Sequence, residues 1–151
     1  MEQLFSLLEH RYEEMVAIRR YLHERPELSF HEVHTPAYIA KFHRELGLEV
    51  REHVGQRGVV ATLCGGKPGK TVALRADFDA LAIQELNDIP YKSKNDGLMH
   101  ACGHDGHTAT LLVLAKCLTE MREQLEGNVV FIHQHAEEVA PGGAKAMIED
   151  G

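Results

Sequence analysis

Histidine and cysteine side chains are concentrated in two short stretches of this sequence. Five of its eleven histidines lie within residues 100–107 or 133–138, namely His100, His104, His107, His133 and His135. In the first stretch Cys102 and His104 flank Gly103, and a glycine permits the tight turn that aims a thiolate and an imidazole at one point. Sulfur and nitrogen donors of these types bind divalent metals. The spacing therefore predicts a metal site.

Two neighbours of this pair have less defined roles. Asp105 adjoins His104, and His107 stands at the start of a predicted helix, in reach as a further ligand or as a group that orients one. The alternative is a surface loop in which Asp105 or Thr108 caps that helix. A single histidine would favour this alternative, whereas four cysteine and histidine residues within eight positions favour a metal.

Two adjacent carboxylates follow the second stretch. Glu137 and Glu138 come directly after an apolar run, where a strand is expected to end, and open α/β sheets bind ligands outside the carboxyl ends of their strands. Because neighbouring side chains on an extended backbone point in different directions, one carboxylate is expected to hold a metal and the other a water. The alternative is a solvated acidic loop.

A third acidic pair stands at the end of another predicted strand. Asp77 and Asp79 follow the strand that begins near Thr71, and their spacing places both on one side of it. They are expected to orient ligands or to bind metal, and the alternatives are helix capping or an ion pair with Arg75. The acidic pairs and the Cys102 turn converge if the two strands are parallel and joined by one helix.

Periodicity in the sequence indicates the elements that hold these groups. The predicted elements are a helix over 5–22, a helix capped by Thr35 and stopped by Gly47, strands over 59–63 and 72–74, a helix over 108–125 stopped by Gly127, a strand over 128–133 and a short helix from Gly143. Strands 59–63 and 72–74 flank a turn at 65–70 and are expected to be a hairpin or neighbours. A strand, a helix and a strand then indicate a βαβ unit in a parallel sheet.

Composition limits the class of protein. A chain of 151 residues with 44% hydrophobic and 26% charged residues is typical of one globular domain. A net charge of −7 argues against nucleic acid and anionic membranes as partners. The odd set of cysteines, Cys64, Cys102 and Cys117, excludes a complete disulfide framework, and the N-terminus has no export signal. A cytoplasmic protein is therefore expected.

Four motifs in this order resemble the M20 metallopeptidase family, in its branch of N-acyl-amino-acid, hippurate and auxin-conjugate hydrolases. They are RRYLHERPELSF at 19–30, LRADFDAL at 74–81, MHACGHDGHTA at 99–109 and QHAEE at 134–138. The expected fold is α/β, with a mostly parallel sheet and flanking helices, as in the N-terminal part of a zinc-peptidase-like catalytic domain. Ala82 and His135 depart from the pattern, because the branch usually has proline at both positions.

The resemblance also implies roles for individual residues. Cys102, His104 and Glu138 are expected to be metal ligands, Glu137 the general base and Asp79 a supporting carboxylate. The complete enzyme would hold two divalent ions, of zinc, manganese, cobalt or nickel, and would hydrolyse the amide bond of a small N-acyl amino acid or related conjugate.

Family members are longer than this chain. They carry an inserted dimerisation domain, form homodimers and take further histidine ligands from later sequence, so residues 1–151 are expected to be a partial catalytic domain without the inserted domain and the C-terminal half. Alone, it is expected to bind metal weakly and to be inactive. The alternatives are a non-catalytic metal-binding or interaction module, and a thiol hydrolase with Cys102 as nucleophile, which leaves Glu137, Glu138 and Asp79 without roles.

Overall fold

A computed structural model describes residues 2–151 as one α/β unit in which helices flank a four-stranded sheet. In chain order the helices and strands are α1 (Glu2–His10), α2 (Tyr12–His23), α3 (His34–Glu45), β1 (Glu49–Val54), β2 (Gly58–Cys64), β3 (Lys67–Asp77), α4 (His104–Glu120), a 3₁₀ turn (Arg122–Gln124), β4 (Glu126–Gln134) and α5 (Ala144–Glu149). No helix in this part of the chain is long and apolar enough to cross a bilayer.

The sheet has the order β1-β2-β4-β3, so that β4 lies between β2 and β3. Strands β3 and β4 are parallel and joined through α4, which confirms the α/β class and the βαβ unit. The other two pairings, β1 with β2 and β2 with β4, are antiparallel, so the expectation of a mostly parallel sheet is wrong for the described strands. In the parallel pair Asp77 stands opposite Gln134, which brings both carboxyl ends to one edge.

Helix α4 packs its apolar side against the sheet and forms the centre of the core. Leu112 and Ala115 on α4 are fully buried, as are Ala61 on β2 and Phe131 on β4. Helix α2 adds Leu22 to this core. Because α4 is packed from its first turn to its last, its N-terminus is fixed relative to the strand ends.

Two predicted helices differ in their ends. The helix expected over 5–22 is two helices that meet at Arg11, whose φ of −102° and ψ of 12° leave the helical region and whose side chain pairs with Glu14 and Glu120. Thr35 is not the cap of α3, because that helix begins at His34 after Val33. The Glu27 carboxylate instead accepts hydrogen bonds from the backbone N–H groups of Val33, His34 and Thr35.

The region after α3 also differs from the prediction. Strand β1 is not among the predicted elements. The expectation that strands 59–63 and 72–74 form a hairpin or lie next to each other is wrong, because β4 separates β2 from β3. Strand β3 already begins at Lys67, inside the expected turn. The helix predicted over 108–125 begins at His104 and ends at Glu120. Gly127 lies in β4, where its φ is +82° and a Cβ would stand 1.9 Å from the Lys70 carbonyl oxygen, so it permits close strand contact rather than stopping a helix.

A buried pair of histidines joins α3 to the sheet. His43 Nε2 lies 2.9 Å from His133 Nε2, and both side chains are fully buried. Burial lowers the pKa of His43 to about 4 and also lowers the pKa of His133. Both rings are therefore neutral near pH 7, and one ring donates a hydrogen bond to the other. His133 is thus a core residue, although its place in the sequence suggested that it surrounds the metal site.

Candidate metal centre

The candidate centre lies where β3, β4 and α4 meet. Strand β3 ends at Asp77, β4 ends at Gln134, and α4 begins at His104 between them. Gly103, the residue before α4, has a φ of +99°, a left-handed conformation that side chains with a Cβ rarely adopt. This turn places Cys102 and His104 together, as the sequence predicts.

Three predicted ligands form one cluster. Cys102, His104 and Glu138 each have a donor atom within 4.8 Å of the other two, and His104 Nε2 lies 3.7 Å from Glu138 Oε1. This carboxylate oxygen is buried without a hydrogen-bond partner, which leaves it free to coordinate a divalent cation. Sulfur, nitrogen and oxygen donors in reach of one point fit zinc and related ions.

Asp79 contacts two members of this cluster and orients them. Its Oδ2 accepts hydrogen bonds from Ser29 Oγ at 2.6 Å and from the Glu138 backbone N–H at 2.9 Å, and its Oδ1 lies 3.1 Å from His104 Nδ1. Burial opposes ionisation of Asp79, but these hydrogen bonds outweigh it and hold its pKa well below the ordinary range. Because Nδ1 is engaged by Asp79, His104 presents Nε2 to Glu138.

Glu137 lies on the open side of the cluster. Its Oε2 is 3.9 Å from His104 Nε2, and its side chain is 42% exposed, compared with 18% for Glu138. Glu137 can therefore contact water and the site at the same time. The adjacent glutamates thus differ in exposure, since Glu138 is the more buried of the two and Glu137 the more open to solvent.

The environment of Cys102 bears on the thiol hydrolase alternative. The nearby Glu138 carboxylate raises the pKa of the thiol, and burial and the charges of Glu137 and Asp79 act in the same direction. A nucleophilic cysteine needs a lowered pKa. The raised pKa thus counts against Cys102 as a metal-free nucleophile, and a bound cation would be needed to stabilise its thiolate.

A second cluster shares His104 with the first. Asp77, His104 and His107 also have donor atoms within 4.8 Å of one another, and His107 is exposed. However, Asp77 Oδ1 lies 2.7 Å from the Arg75 guanidinium, the ion pair that the sequence offered as an alternative role. Asp77 is therefore already paired, whereas the Glu138 oxygen in the first cluster has no hydrogen-bond partner among the described residues.

The remaining histidines of the two stretches do not join the cluster of donors. His100 and His135 are buried, and neither ring has a hydrogen-bond partner among the described residues. Burial lowers the pKa of His100 to about 4. His135 packs edge-on against Phe30, which accounts for its burial without giving it a role in metal binding.

Several buried polar residues around the centre come from the first motif, and the sequence assigned none of them a role. His23 Nδ1 lies 2.7 Å from Asp105 Oδ2, and Arg19 pairs with the same carboxylate. Asp105 is therefore bonded to α2 rather than to the metal donors. Ser29 bonds Asp79, and Glu32 bonds the backbone next to Glu137. Arg19, His23 and Ser29 belong to the motif at 19–30, and this membership is the only sequence signal that marks their contacts, whereas Glu32 lies just outside that motif.

The sequence profile of peptidase family M20/M25/M40 matches residues 73–151, a segment that contains the donors and both glutamates. The chain belongs to this family. The M20 profile thus agrees with the resemblance that the four motifs suggest, and the mixed sheet with flanking helices agrees with the fold of M20 structures.

Curated relatives and solved structures are similar to this protein over nearly the whole chain. The N-acyl-L-amino acid amidohydrolase of Geobacillus stearothermophilus is 44% identical over 99% of the chain, which spans 40% of that protein. The hippurate hydrolase of Campylobacter jejuni is 49% identical over 91%, which spans 35% of that protein. The Bacillus subtilis YXEP protein, a dinuclear metal binding M20 peptidase, superposes with a TM-score of 0.88 at 44% identity, over 95% of this chain and 40% of that one. The chain thus spans about two fifths of these relatives or less.

The pair formed by His104 and Asp79 leads to a pH prediction. The Asp79 carboxylate raises the pKa of His104 to about 8, against an ordinary value of about 6.5. In the metal-free chain the stabilisation from protonated His104 is present below pH about 6.5 and is lost as pH rises through about 8. Zinc must displace the proton of His104, so zinc affinity is expected to decrease as the pH is lowered below about 8.

Titration of the metal-free chain by NMR measures this pKa directly. Asp79→Asn is expected to lower the pKa of His104 towards about 6.5, because the charged partner is removed. Asp88→Asn, in an exposed loop, is the matched control and leaves the titration of His104 unchanged. An unaltered His104 titration in Asp79→Asn would contradict this account of the pair.

Proposed function

We propose that this chain supplies the metal donors and the general base of a metal-dependent amidohydrolase that cleaves N-acyl amino acids or related conjugates. The observation that carries the proposal is the geometry around His104. Its Nε2 lies 3.7 Å from Glu138 Oε1 and 3.9 Å from Oε2 of the more exposed Glu137. A metal bound by the donors and the Glu137 base would then lie within reach of one small molecule.

The donors would be Cys102, His104 and Glu138. A divalent ion held there would polarise the amide carbonyl and acidify a nearby water. Two ions in the complete polypeptide are supported by the dinuclear site of the YXEP protein. Zinc is favoured by the sulfur and nitrogen donors, while the carboxylate also suits manganese, cobalt or nickel.

Glu137 would act as general base and then as general acid. Its Oε2 accepts a proton from the attacking water and later returns it to the nitrogen of the leaving amine, as the carbonyl carbon gains the water oxygen and the C–N bond breaks. The products are a carboxylic acid and a free amine. The solvent exposure of Glu137 leaves room for both the water and the amine.

The substrate class follows from the relatives rather than from a pocket. The Geobacillus and Campylobacter proteins are named for N-acyl amino acids and for hippurate, which is itself an N-acyl amino acid. Both names describe hydrolysis of the amide bond of an N-acyl amino acid. We therefore expect a small N-acylated amino acid or conjugate as substrate.

The test uses the full polypeptide that carries this chain, stripped of metal and reloaded with zinc, manganese, cobalt or nickel. Release of free amino acid from N-acetyl amino acids and hippurate is expected only after reloading. Hydrolysis that persists without metal would overturn the proposal. Tight metal binding without hydrolysis of any such amide would favour the non-catalytic metal-binding module instead.

A further inference from the structure

The turn that carries the two glutamates contains a strained residue. Ala136, between β4 and Glu137, has a φ of +48°, in the left-handed region that residues with a Cβ rarely occupy. Ala136 is fully buried and its carbonyl accepts a hydrogen bond from the Gly143 N–H at 2.9 Å. A buried backbone in this conformation requires contacts that hold it there.

Glu32 provides the contact on the other side of this residue. Its Oε1 accepts a hydrogen bond from the Ala136 N–H at 2.9 Å, although the two residues are 104 positions apart in the chain. The Glu32 side chain is fully buried, and its other oxygen has no hydrogen-bond partner. The nearest guanidinium, that of Arg57, lies with Nε 4.0 Å from that oxygen. The carboxylate is therefore committed to the Ala136 N–H.

The far end of the same turn is held from the same stretch of sequence. Ser29 donates to Asp79, and Asp79 accepts the Glu138 N–H. Glu32 and Ser29 thus fix the backbone on both sides of Glu137. Neither residue belongs to the cluster of donors around His104.

We propose that Glu32 is a positioning residue, whose buried carboxylate holds the left-handed turn at Ala136 and thereby sets Glu137 and Glu138 against His104. This inference rests on the proposed function for its effect on catalysis. Without the hydrogen bond, Ala136 relaxes out of the left-handed region and the directions of both glutamates change.

The first test compares three variants in the full polypeptide loaded with zinc. Glu32→Ala is expected to lower kcat about 10–100-fold, the range typical of groups that orient a metal ligand, and to weaken zinc affinity by a similar factor. Glu32→Gln keeps an oxygen that accepts the Ala136 N–H and is expected to retain most of kcat. Assays are run well below the melting temperature of every variant.

Glu27→Ala is the matched control for a purely structural effect. Glu27 is a partly buried carboxylate of the same stretch, and it accepts three backbone N–H groups at the start of α3. Its removal is expected to lower the melting temperature while kcat and zinc affinity are unchanged. Equal losses of kcat in the Glu27 and Glu32 variants, or no loss in Glu32→Ala, would overturn the proposal.

A double variant tests whether Glu32 acts through Ala136. Glycine adopts a positive φ at little cost, so Ala136→Gly is expected to restore part of the activity lost in Glu32→Ala, and the two changes will not be additive. Additive losses would contradict the route through Ala136. Crystal structures of both Glu32 variants give a measure that needs no activity: Ala136 φ is expected to leave the left-handed region in Glu32→Ala and to remain there in Glu32→Gln.

These measurements separate two failures. A wild-type polypeptide that hydrolyses no amide would refute the proposed function, but zinc affinity and the Ala136 backbone would still decide the role of Glu32. An active wild type with an unaffected Glu32→Ala variant would refute the positioning role alone.

Discussion

Glu137→Gln is expected to lower kcat for amide hydrolysis by about 10²–10⁴-fold, the contribution typical of a general acid or base. The amide of glutamine has nearly the same shape but cannot accept the proton of a water. Metal content is expected to be unchanged, because Glu137 lies outside the cluster of Cys102, His104 and Glu138. The measurement is steady-state kinetics on an N-acyl amino acid, together with elemental analysis.

The adjacent glutamate is the natural comparison for this variant. Glu138→Gln is expected to lose metal as well as activity, since the buried oxygen of Glu138 is one of the three donors. The two variants therefore separate proton transfer from metal binding at neighbouring positions. A Glu137→Gln enzyme with wild-type kcat would exclude Glu137 as the base, and a metal-free one would assign it to the ligands.

Cys102→Ser is expected to weaken zinc affinity by more than the roughly 10–100-fold that follows loss of a group merely orienting a ligand. The reason is that a thiolate sulfur is removed from the coordinating set itself. Titration of the 151-residue chain with zinc against a competing chelator measures the change. Cobalt provides a second observable, because the sulfur-to-cobalt charge-transfer absorption of the wild type is expected to vanish in the variant.

Cys64→Ser is the control for this experiment. Cys64 and Cys102 are both exposed cysteines, but Cys64 ends β2 and belongs to neither cluster of donors. Its replacement is expected to leave both the zinc affinity and the cobalt absorption unchanged. Wild-type zinc affinity in Cys102→Ser, or an equal loss in Cys64→Ser, would remove Cys102 from the proposed ligands.

The convergence of Cys102, His104 and Glu138 could be predicted from sequence because each group stands at the end of a locally recognisable element. Gly103 fixes the relation of Cys102 to His104, and the end of an apolar strand marks Glu137 and Glu138. The βαβ unit follows from the same local patterns, since strand, helix and strand each have a distinct period. Their convergence at one edge then follows from topology.

The parts that sequence patterns missed depend on contacts between distant residues. Thr35 is of a residue type that often caps helices, but the Glu27 carboxylate, which lies outside the helix, accepts the hydrogen bonds of the first turn instead. Strands β2 and β3 are consecutive in the chain, yet β4 enters between them. Propensity and spacing describe neighbours along the chain, so they do not register a partner that arrives from elsewhere.

The same limit explains why the supporting residues had no assigned roles. Ser29 and Glu32 are ordinary polar residues by composition, and only the fold shows that they are buried against Asp79 and Ala136. Their functional character comes from location rather than from residue type. The motif at 19–30 marks Ser29 without explaining it, and Glu32 lies outside all four motifs.

The residues that orient the site are far apart in sequence from the residues they contact, and this separation has a consequence for folding. Bonds across 50, 82 and 104 residues orient the site, namely Ser29 to Asp79, His23 to Asp105 and Ala136 to Glu32. Contacts that close such large loops carry a high entropic cost and form only together with the rest of the native chain. Short peptides containing the Cys102 turn should therefore bind zinc without the geometry of the folded site, and the rate at which high-affinity binding appears during refolding would report completion of the whole α/β unit.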